Sequence, residues 1–275
     1  MKLSHLYRHS LLQAKELGVP DSAVRLLLAE TLKLGNAELD TLPDKEIGAD
    51  QQELWLQRLH RLLKGEPAQY IAQQAWFWGF ALKIQPGVLI PRPETEGLVE
   101  LMLPRLQPGI KVLDCCTGSG AIAIALSQLK PDIKVFATDI SAPAINLAIH
   151  NASLHSAAIR FYQCDLFPAI QHSFDIIVSN PPYISEAEYR NLDGVVKDYE
   201  PSEALLSGED GLHHITRILQ EAPLHLKDGG LLYLEHGATQ REAILKLADA
   251  AHWKLDYAGD DLAGYARYLV FSHHK

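Results

Sequence analysis

The chain has 275 residues, of which 47% are hydrophobic and 21% charged, with a formal net charge of -9. That balance is typical of a globular chain of one large domain or two modest ones. No apolar run nears the roughly 18 uncharged residues of a membrane span, no signal-peptide pattern opens the chain, and neither half carries the basic segment of a nucleic-acid binder. A cytoplasmic protein is expected. Cys115, Cys116 and Cys164 are the only cysteines; an odd, low count without Cys-x-x-Cys spacing argues against a disulfide scaffold or a zinc site and for small buried hydrophobes.

Residues 1–74 read as a helical domain. Leu3, Leu6, Tyr7, Ser10, Leu11 and Ala14 recur at the spacing of one helical face, and Gly18-Val-Pro20 stops that helix. Asp21 is a plausible N-cap for a second helix with Val24, Leu27, Leu28 and Thr31 on one side. Asp50 or a neighbour opens a third, with Leu54, Trp55, Leu59, Leu62 and Leu63 facing inward, closed by Gly65 and Pro67. Residues 75–92 change character. Alternating Trp76, Phe77, Trp78 and Phe80 with Gly and Pro at the turns predict a β-hairpin linker whose aromatics pack.

From 93 to 275 strands and helices alternate. Strands are expected at 111–115, 134–138, 160–163, 174–179, 230–235, 253–257 and 267–272, and helices at 121–128, 142–154, 215–226 and 241–251. This βαβα rhythm predicts an α/β domain with a mostly parallel sheet covered on both faces. Of the 13 histidines, His236 falls at a strand end as a structural hydrogen-bonder, and His273-His274 reads as an exposed tail.

The first chemical signal is Val112-Leu-Asp-Cys-Cys-Thr-Gly-Ser-Gly120 followed by Ala-Ile-Ala-Ile: a strand, a glycine turn, then a helix. Gly118 and Gly120 let the backbone pass close to a ligand. Asp139 ends the next strand, 21 residues after Gly118, where a carboxylate accepts hydrogen bonds from both hydroxyls of a ribose. The pattern suits any nucleoside cofactor. The opening Asp114-x-x-x-Gly-x-Gly, with Ala123 at the third glycine position, favours S-adenosyl-L-methionine over a dinucleotide. Asp165, closing the third strand, stands where such enzymes contact the adenine amino group.

The second signal is Phe174-Asp-Ile-Ile-Val-Ser179 running into Asn180-Pro-Pro-Tyr183. Ligands of open parallel sheets bind at the carboxyl ends of strands, so this motif lies beside the nucleoside loop. An amide nitrogen is a poor nucleophile, and its two N–H groups need acceptors that hold it in line with a methyl–sulfonium bond. The Asn180 side-chain oxygen can accept one and the Pro181 carbonyl the other. Pro181 and Pro182 bring no competing N–H and keep the loop stiff, and Tyr183 supplies a flat face for a planar amide or base.

These residues resemble the amino-methyltransferases of adenine N6 and glutamine N5, and far more closely the HemK/PrmC family of release factor glutamine methyltransferases. Gly65-Glu-Pro-Ala-Gln-Tyr-Ile71, Gly87-Val-Leu-Ile-Pro-Arg-Pro-Glu-Thr-Glu96, Tyr199-Glu-Pro201 with Ala204-Leu205, Asp210-Gly-Leu212, Glu235-His-Gly237 with Gln240, and Asp261-Leu-Ala-Gly264 carry that resemblance over nearly the whole chain. It implies the class I methyltransferase fold, a Rossmann-like, mostly parallel seven-stranded sheet, with an N-terminal helical domain that helps hold the substrate. It implies methyl transfer from S-adenosyl-L-methionine to the glutamine of the Gly-Gly-Gln loop of peptide-chain release factors, by a monomer that touches neither nucleic acid nor membrane. By motif position Cys116, Thr117, Gly118, Ser119, Gly120, Asp139, Asp165, Leu166 and Asn180 would contact the cofactor, and Asn180 to Tyr183 the glutamine. Cys116 stands where a glycine is common, Leu166 where a tryptophan can flank the adenine, Ala72-Gln73 where Leu-Gly is usual, and Tyr265 where Arg is frequent. Pro91-Arg-Pro-Glu-Thr-Glu96 has two readings: a helix cap at Glu94 or Thr95, or Arg92 and Glu94 lining the substrate channel. A ribosomal-protein glutamine methyltransferase, an adenine N6 methyltransferase and a non-enzymatic cofactor-binding module are the competing functions.

Overall fold

The computed structural model describes residues 2–41, 45–170 and 173–273; His274 lies outside them. Two compact units divide the chain: one takes the residues up to Ala75 with Ile84–Pro86 and Asp193–Tyr199, the other takes Trp76–Lys83, Gly87–Leu192 and the chain from Glu200 onward.

The first unit is helical, with α1 (Leu3–Glu16), α2 (Asp21–Leu32), α3 (Asn36–Thr41), α4 (Ala49–Leu63) and α5 (Ala68–Ala72). The expected apolar stripes meet: Leu3, Leu6, Val24, Leu27, Leu28, Trp55, Leu59 and Leu62 form one buried cluster. Its polar members are satisfied rather than stranded. Ser10 Oγ donates to the Leu6 carbonyl at 2.8 Å and accepts the Trp55 indole N–H at 3.1 Å. Thr31 Oγ1 does the same between the Leu27 carbonyl and Arg58. Two expectations need correction. Pro20 takes the cap position of α2, so Asp21 is its first residue and makes no capping bond; an acid there still complements the helix dipole. Leu54 is exposed, because the stripe through Trp55, Leu59 and Leu62 leaves it one residue, or about 100° of helix, off the buried face.

Next come strands β1 (Gln74–Phe77) and β2 (Phe80–Lys83), paired as a hairpin. Trp78 and Gly79 both have positive φ, as a two-residue hairpin turn demands. The aromatics do not all pack: Phe77 is buried, but strict alternation leaves Trp76 58% exposed. In the second unit β2 is fastened by Asn151, whose side chain accepts from Lys83 N at 2.7 Å and donates to the Lys83 and Ser119 carbonyls.

A short 3-10 turn, Pro93–Thr95, leads into α6 (Glu96–Met102). Then follow β3 (Lys111–Cys115), α7 (Ala121–Leu129), β4 (Lys134–Asp139), α8 (Ala142–Leu154), β5 (Ile159–Gln163), β6 (Phe174–Ser179), α9 (Glu186–Arg190), α10 (Gly194–Tyr199, assigned to the first unit), α11 (His213–His225), β7 (Leu226–Glu235), α12 (Arg241–Ala250), β8 (Lys254–Asp260) and β9 (Ala266–Ser272). The seven strands β3 to β9 form one sheet in the order β5-β4-β3-β6-β7-β9-β8. All neighbours are parallel except β9, which runs antiparallel to both β7 and β8. Strands β3 and β6 are buried along nearly their whole length, which is why each reads as a continuous apolar run. The chain leaves β3 toward β4 on one side and returns through β6 on the other, so the crevice opens between these two strands. The tail reading of His273 is also corrected: it extends the β7–β9 pairing through Gly229 and Gly230, and its ring lies 5.1 Å from that of Trp253.

Trp55→Ala should lower the stability of the first unit by about 3–5 kcal/mol. Denaturant unfolding of the variant against wild type measures it.

Candidate active site

Register brings the two motifs together. Cys115 at the end of β3 pairs with Ser179 at the end of β6, so the loops beginning at Cys116 and Asn180 leave the sheet side by side. The Ser179 hydroxyl ties them, donating to the Cys115 carbonyl at 2.7 Å. On the other flank, Thr117 N donates to the Thr138 carbonyl at the end of β4. Between them lies a cavity of about 530 Å³, within the usual range for a small-molecule site. Cys116, Gly118, Asp139, Asp165, Leu166, Asn180 and Pro182 line it, with Gly87 to Leu89, Ser141, Pro201, Ala204 and His214.

The glycine loop is built around two carboxylates, Asp114 fully buried and Asp139 half-buried. Asp114 Oδ2 accepts from the Thr117 hydroxyl at 2.5 Å and from Ala123 N at 3.1 Å; its Oδ1 has no hydrogen-bond partner among the described residues. Burial pushes this acid up to about 7, against the pull of those two donors. Asp139 holds the turn, accepting Gly118 N at 2.8 Å and Ser141 N at 2.9 Å, and burial raises its pKa as well. Gly118 has open space where a Cβ would stand. Gly120 is different: it has a φ of +85°, and a Cβ would meet Ala148 of α8 at 3.1 Å. Helix packing and the left-handed turn, rather than ligand approach, require that glycine. Thr117, Ser119 and Gly120 shape the loop but do not line the cavity.

The other predicted contacts divide. Asp165 lines the cavity, and both of its oxygens take Arg217 Nη1, at 3.1 and 2.9 Å. Leu166 is buried with a φ of +57°, its carbonyl accepting Thr138 Oγ1 and the Cys115 thiol. Cys115 is buried as expected, but Cys116 is half-buried and faces the cavity, and a hydrogen bond with Cys115 together with burial raises its thiol pKa. Of the second motif, Asn180 and Pro182 line the cavity; Pro181 and Tyr183 do not. Tyr183 packs its ring on the core, and its hydroxyl lies 3.4 Å from Glu235 Oε1, where burial and that carboxylate raise its pKa strongly.

Arg92 and Glu94 do not line the cavity. Arg92 donates to buried Glu200 at 2.5 Å, while the Glu94 side chain is exposed and its carbonyl accepts the Tyr268 hydroxyl. Thr95 occupies the cap position of α6 without a side-chain capping bond. Its hydroxyl instead accepts Asn180 Nδ2 at 2.9 Å. Residues 92–96 are thus a brace, completed by Glu96, which accepts Trp78 N at 2.6 Å. A second brace grips Tyr183. Gln240 Nε2 donates to the Tyr183 carbonyl at 2.7 Å and to Gly211 O at 3.2 Å, while its Oε1 accepts Gly237 N at 2.9 Å. A Cβ on Gly211 would stand 2.4 Å from that same Tyr183 carbonyl. His236 is fully buried, its Nδ1 donating to Gly237 O at 2.8 Å, and burial lowers it to about 4, so it stays neutral.

Sequence reading missed His214, Glu203 and Thr95. His214 gives no signal of its own; it reaches the cavity because Ser207, 2.8 Å from its Nδ1, fixes the first turn of α11. Thr95 was legible only as a cap.

Residues 93–197 match the family model for the methyltransferase small domain, and residues 7–72 that for the PrmC N-terminal domain. The chain is 36% identical over 276 residues to the release factor glutamine methyltransferase of Nitratidesulfovibrio vulgaris, covering 97% of this chain and 94% of the relative. It is 38% identical over 268 residues to that of Koribacter versatilis, covering 94% and 93%. Among solved structures, a methyltransferase from Pyrococcus furiosus superposes with a TM-score of 0.56 at 18% identity, over 80% of this chain and 99% of that one, a likeness of fold.

The buried acid Asp114 gives a signed pH prediction. Its folded pKa of about 7 lies above its ordinary value of 3.8, so its stabilising contribution is present below about pH 4 and lost as pH rises through about 7. Asp114→Asn does not titrate. The melting temperature of the variant minus that of wild type should therefore rise from about pH 4 to about pH 8.

Proposed function

The chain belongs to the release factor glutamine methyltransferase family, and on that premise we propose that it methylates the side-chain amide nitrogen of the glutamine in the Gly-Gly-Gln loop of peptide-chain release factors. The observation that carries the reading is the shared rim: Asn180 and Pro182 line the same cavity as Cys116, Gly118 and Asp139, at the paired ends of β3 and β6.

The cavity fits S-adenosyl-L-methionine in its chemistry. A half-buried carboxylate at the end of β4 suits ribose hydroxyls, Gly118 leaves room for close approach, and Leu166 and Pro182 are apolar walls for a base. Asp139, Gly118, Cys116, Asp165, Leu166 and Asn180 would hold it, with Thr117, Ser119 and Gly120 setting the loop. The bound cofactor supplies an electrophilic methyl group on a sulfonium centre. The rest falls to the protein. Asn180 Oδ1 and the Pro181 carbonyl, on which no hydrogen bond ends among the described residues, accept the two N–H groups of the glutamine. That holds the nitrogen in one orientation and excludes water from it. The gain is one of alignment and desolvation, since so good a leaving group needs no strong base. Tyr183 and Pro182 stiffen the pocket wall. Arg92 and Glu94 serve the brace around it.

We read residues 1–74 as the substrate-recognition domain, supported by the match over 7–72, residues 75–92 as the linker and residues 93–275 as the catalytic domain. The partner is a release factor in the cytoplasm, met by a monomer. A net charge of -9 without a basic segment speaks for a protein substrate rather than a nucleic acid.

Purified protein with labelled S-adenosyl-L-methionine should label intact release factor on the Gly-Gly-Gln peptide, and ribosomal protein far less. Asn180→Ala should still bind the cofactor in calorimetry and lose transfer by about 10²-fold or more. Absence of label from that peptide, or near-wild-type turnover by the variant, contradicts the assignment.

A further inference from the structure

His214, the second residue of α11, is half-buried and lines the cavity. What it can offer a ligand depends on which ring nitrogen carries the proton.

Ser207 decides that. It is 0% exposed, so bulk water takes no part in its hydrogen bonding. Its hydroxyl oxygen already accepts the His214 backbone N–H at 3.0 Å. Its own proton needs an acceptor, because a buried donor left unpaired keeps its whole desolvation penalty. Among the described residues the other hydrogen-bond contact of that oxygen is His214 Nδ1, at 2.8 Å. The hydroxyl therefore donates to Nδ1, and the ring proton sits on Nε2. An imidazolium would instead point a second N–H at Ser207 and leave the hydroxyl proton nowhere to go. Burial, then His213 and Arg217, lower the ring's pKa, and Asp165 alone opposes them, which also favours the neutral form. With Nδ1 held by buried Ser207, Nε2–H is the polar edge left for the cavity.

The helix sets which end of the cavity the ring serves. Arg217 stands one turn further along α11, on the same face, and donates Nη1 to both oxygens of Asp165, at 3.1 and 2.9 Å. Asp165 lines the cavity beside Leu166, an apolar wall for the base. His214 and Asp165 thus share the base end, one as donor and one as acceptor. Adenine has the matching pattern: its exocyclic amine donates, and the ring nitrogens N1 and N7 on either side of it accept. Resting on the cofactor reading above, we propose that His214 is a further cofactor-binding residue, its Nε2–H donating to N1 or N7 of the adenine while Asp165 faces the amine.

The test is calorimetric titration of wild type and H214F with S-adenosyl-L-homocysteine and with its 1-deaza and 7-deaza analogues, each of which puts C–H where one ring nitrogen stood. H214F keeps a flat ring and removes the donor. It should bind S-adenosyl-L-homocysteine about 10-fold more weakly than wild type. For one of the two analogues, wild type and H214F should agree within about twofold, since the contact is already lost from the ligand side. A merely structural role for His214 would weaken all three ligands alike. Imidazole nitrogen NMR of the wild-type protein at about pH 8 should find His214 protonated on Nε2 and bare on Nδ1. Wild-type affinity in H214F, an equal loss for all three ligands, or a proton on Nδ1 overturns the proposal. Should H214F fail to fold, H214A is judged by the same ratios. Wild-type protein that binds no S-adenosyl-L-homocysteine overturns the cofactor reading and this one with it; wild type that binds beside an unaffected H214F overturns this one alone.

Discussion

A loop of two consecutive prolines cannot hold itself. Pro181 and Pro182 have no backbone N–H to give to a neighbouring strand, yet the acceptors on either side must stay fixed to a fraction of an ångström if they are to align a weak nucleophile. The loop is therefore held from outside. Ile184 N donates to Leu205 O at 2.8 Å and its carbonyl accepts Ser207 N at 2.9 Å, which pins the exit. Gln240 seizes the Tyr183 carbonyl, and Thr95 seizes the Asn180 side chain. Each bond is worth only about 0.5–1.5 kcal/mol net. Their value lies in where they act: at both ends of a segment whose middle has no donors.

The same logic accounts for the buried charges. Arg92 and Glu200 form a close pair, and Glu200 is buried. Such pairs contribute little stability after desolvation. This one, however, ties the turn before α6 to the stretch Pro201–Ala204, which lines the cavity. Arg267 works similarly, donating to Asp261 at 3.1 Å and to the His236 carbonyl at 3.2 Å. Around the Asn180–Tyr183 loop these charged side chains tie neighbouring segments together, while Asp139, Asp165 and Glu203 line the cavity itself.

Much of this was legible in the sequence. Strands β3, β4 and β6 stood out because buried parallel strands are apolar runs bounded by turns, and the glycine loop and Asn180-Pro-Pro-Tyr183 because their chemistry is local. The shortfalls were of another kind. Leu54 and Trp76 were misjudged where a single residue of phase decides between core and solvent, and Asp21 where α2 begins one residue earlier than its cap reading requires. Thr95 was visible only as a helix cap, because its partner lies 85 residues away and no periodicity encodes a hydrogen bond across that distance. Gly120 was recognised as necessary for the wrong reason, since Ala148, the atom it avoids, belongs to another helix. His273 looked like a tail because the bonds it extends belong to Gly229 and Gly230.

Two departures from the usual family residues gain a physical meaning from backbone geometry. Cys116 and Leu166 both have left-handed φ, +62° and +57°, without being glycine. Each such residue costs about 1–2 kcal/mol relative to glycine. Both line the cavity, where strain of this kind concentrates when the surrounding structure over-determines it. For Leu166 the over-determination is explicit: its carbonyl is fixed by the Thr138 hydroxyl at 2.7 Å and the Cys115 thiol at 3.2 Å. The backbone path at the two rims of the crevice is therefore set by the shape of the site. Along that path stand a thiol, its pKa raised by the Cys115 hydrogen bond and by burial, and an aliphatic wall, both facing the cavity.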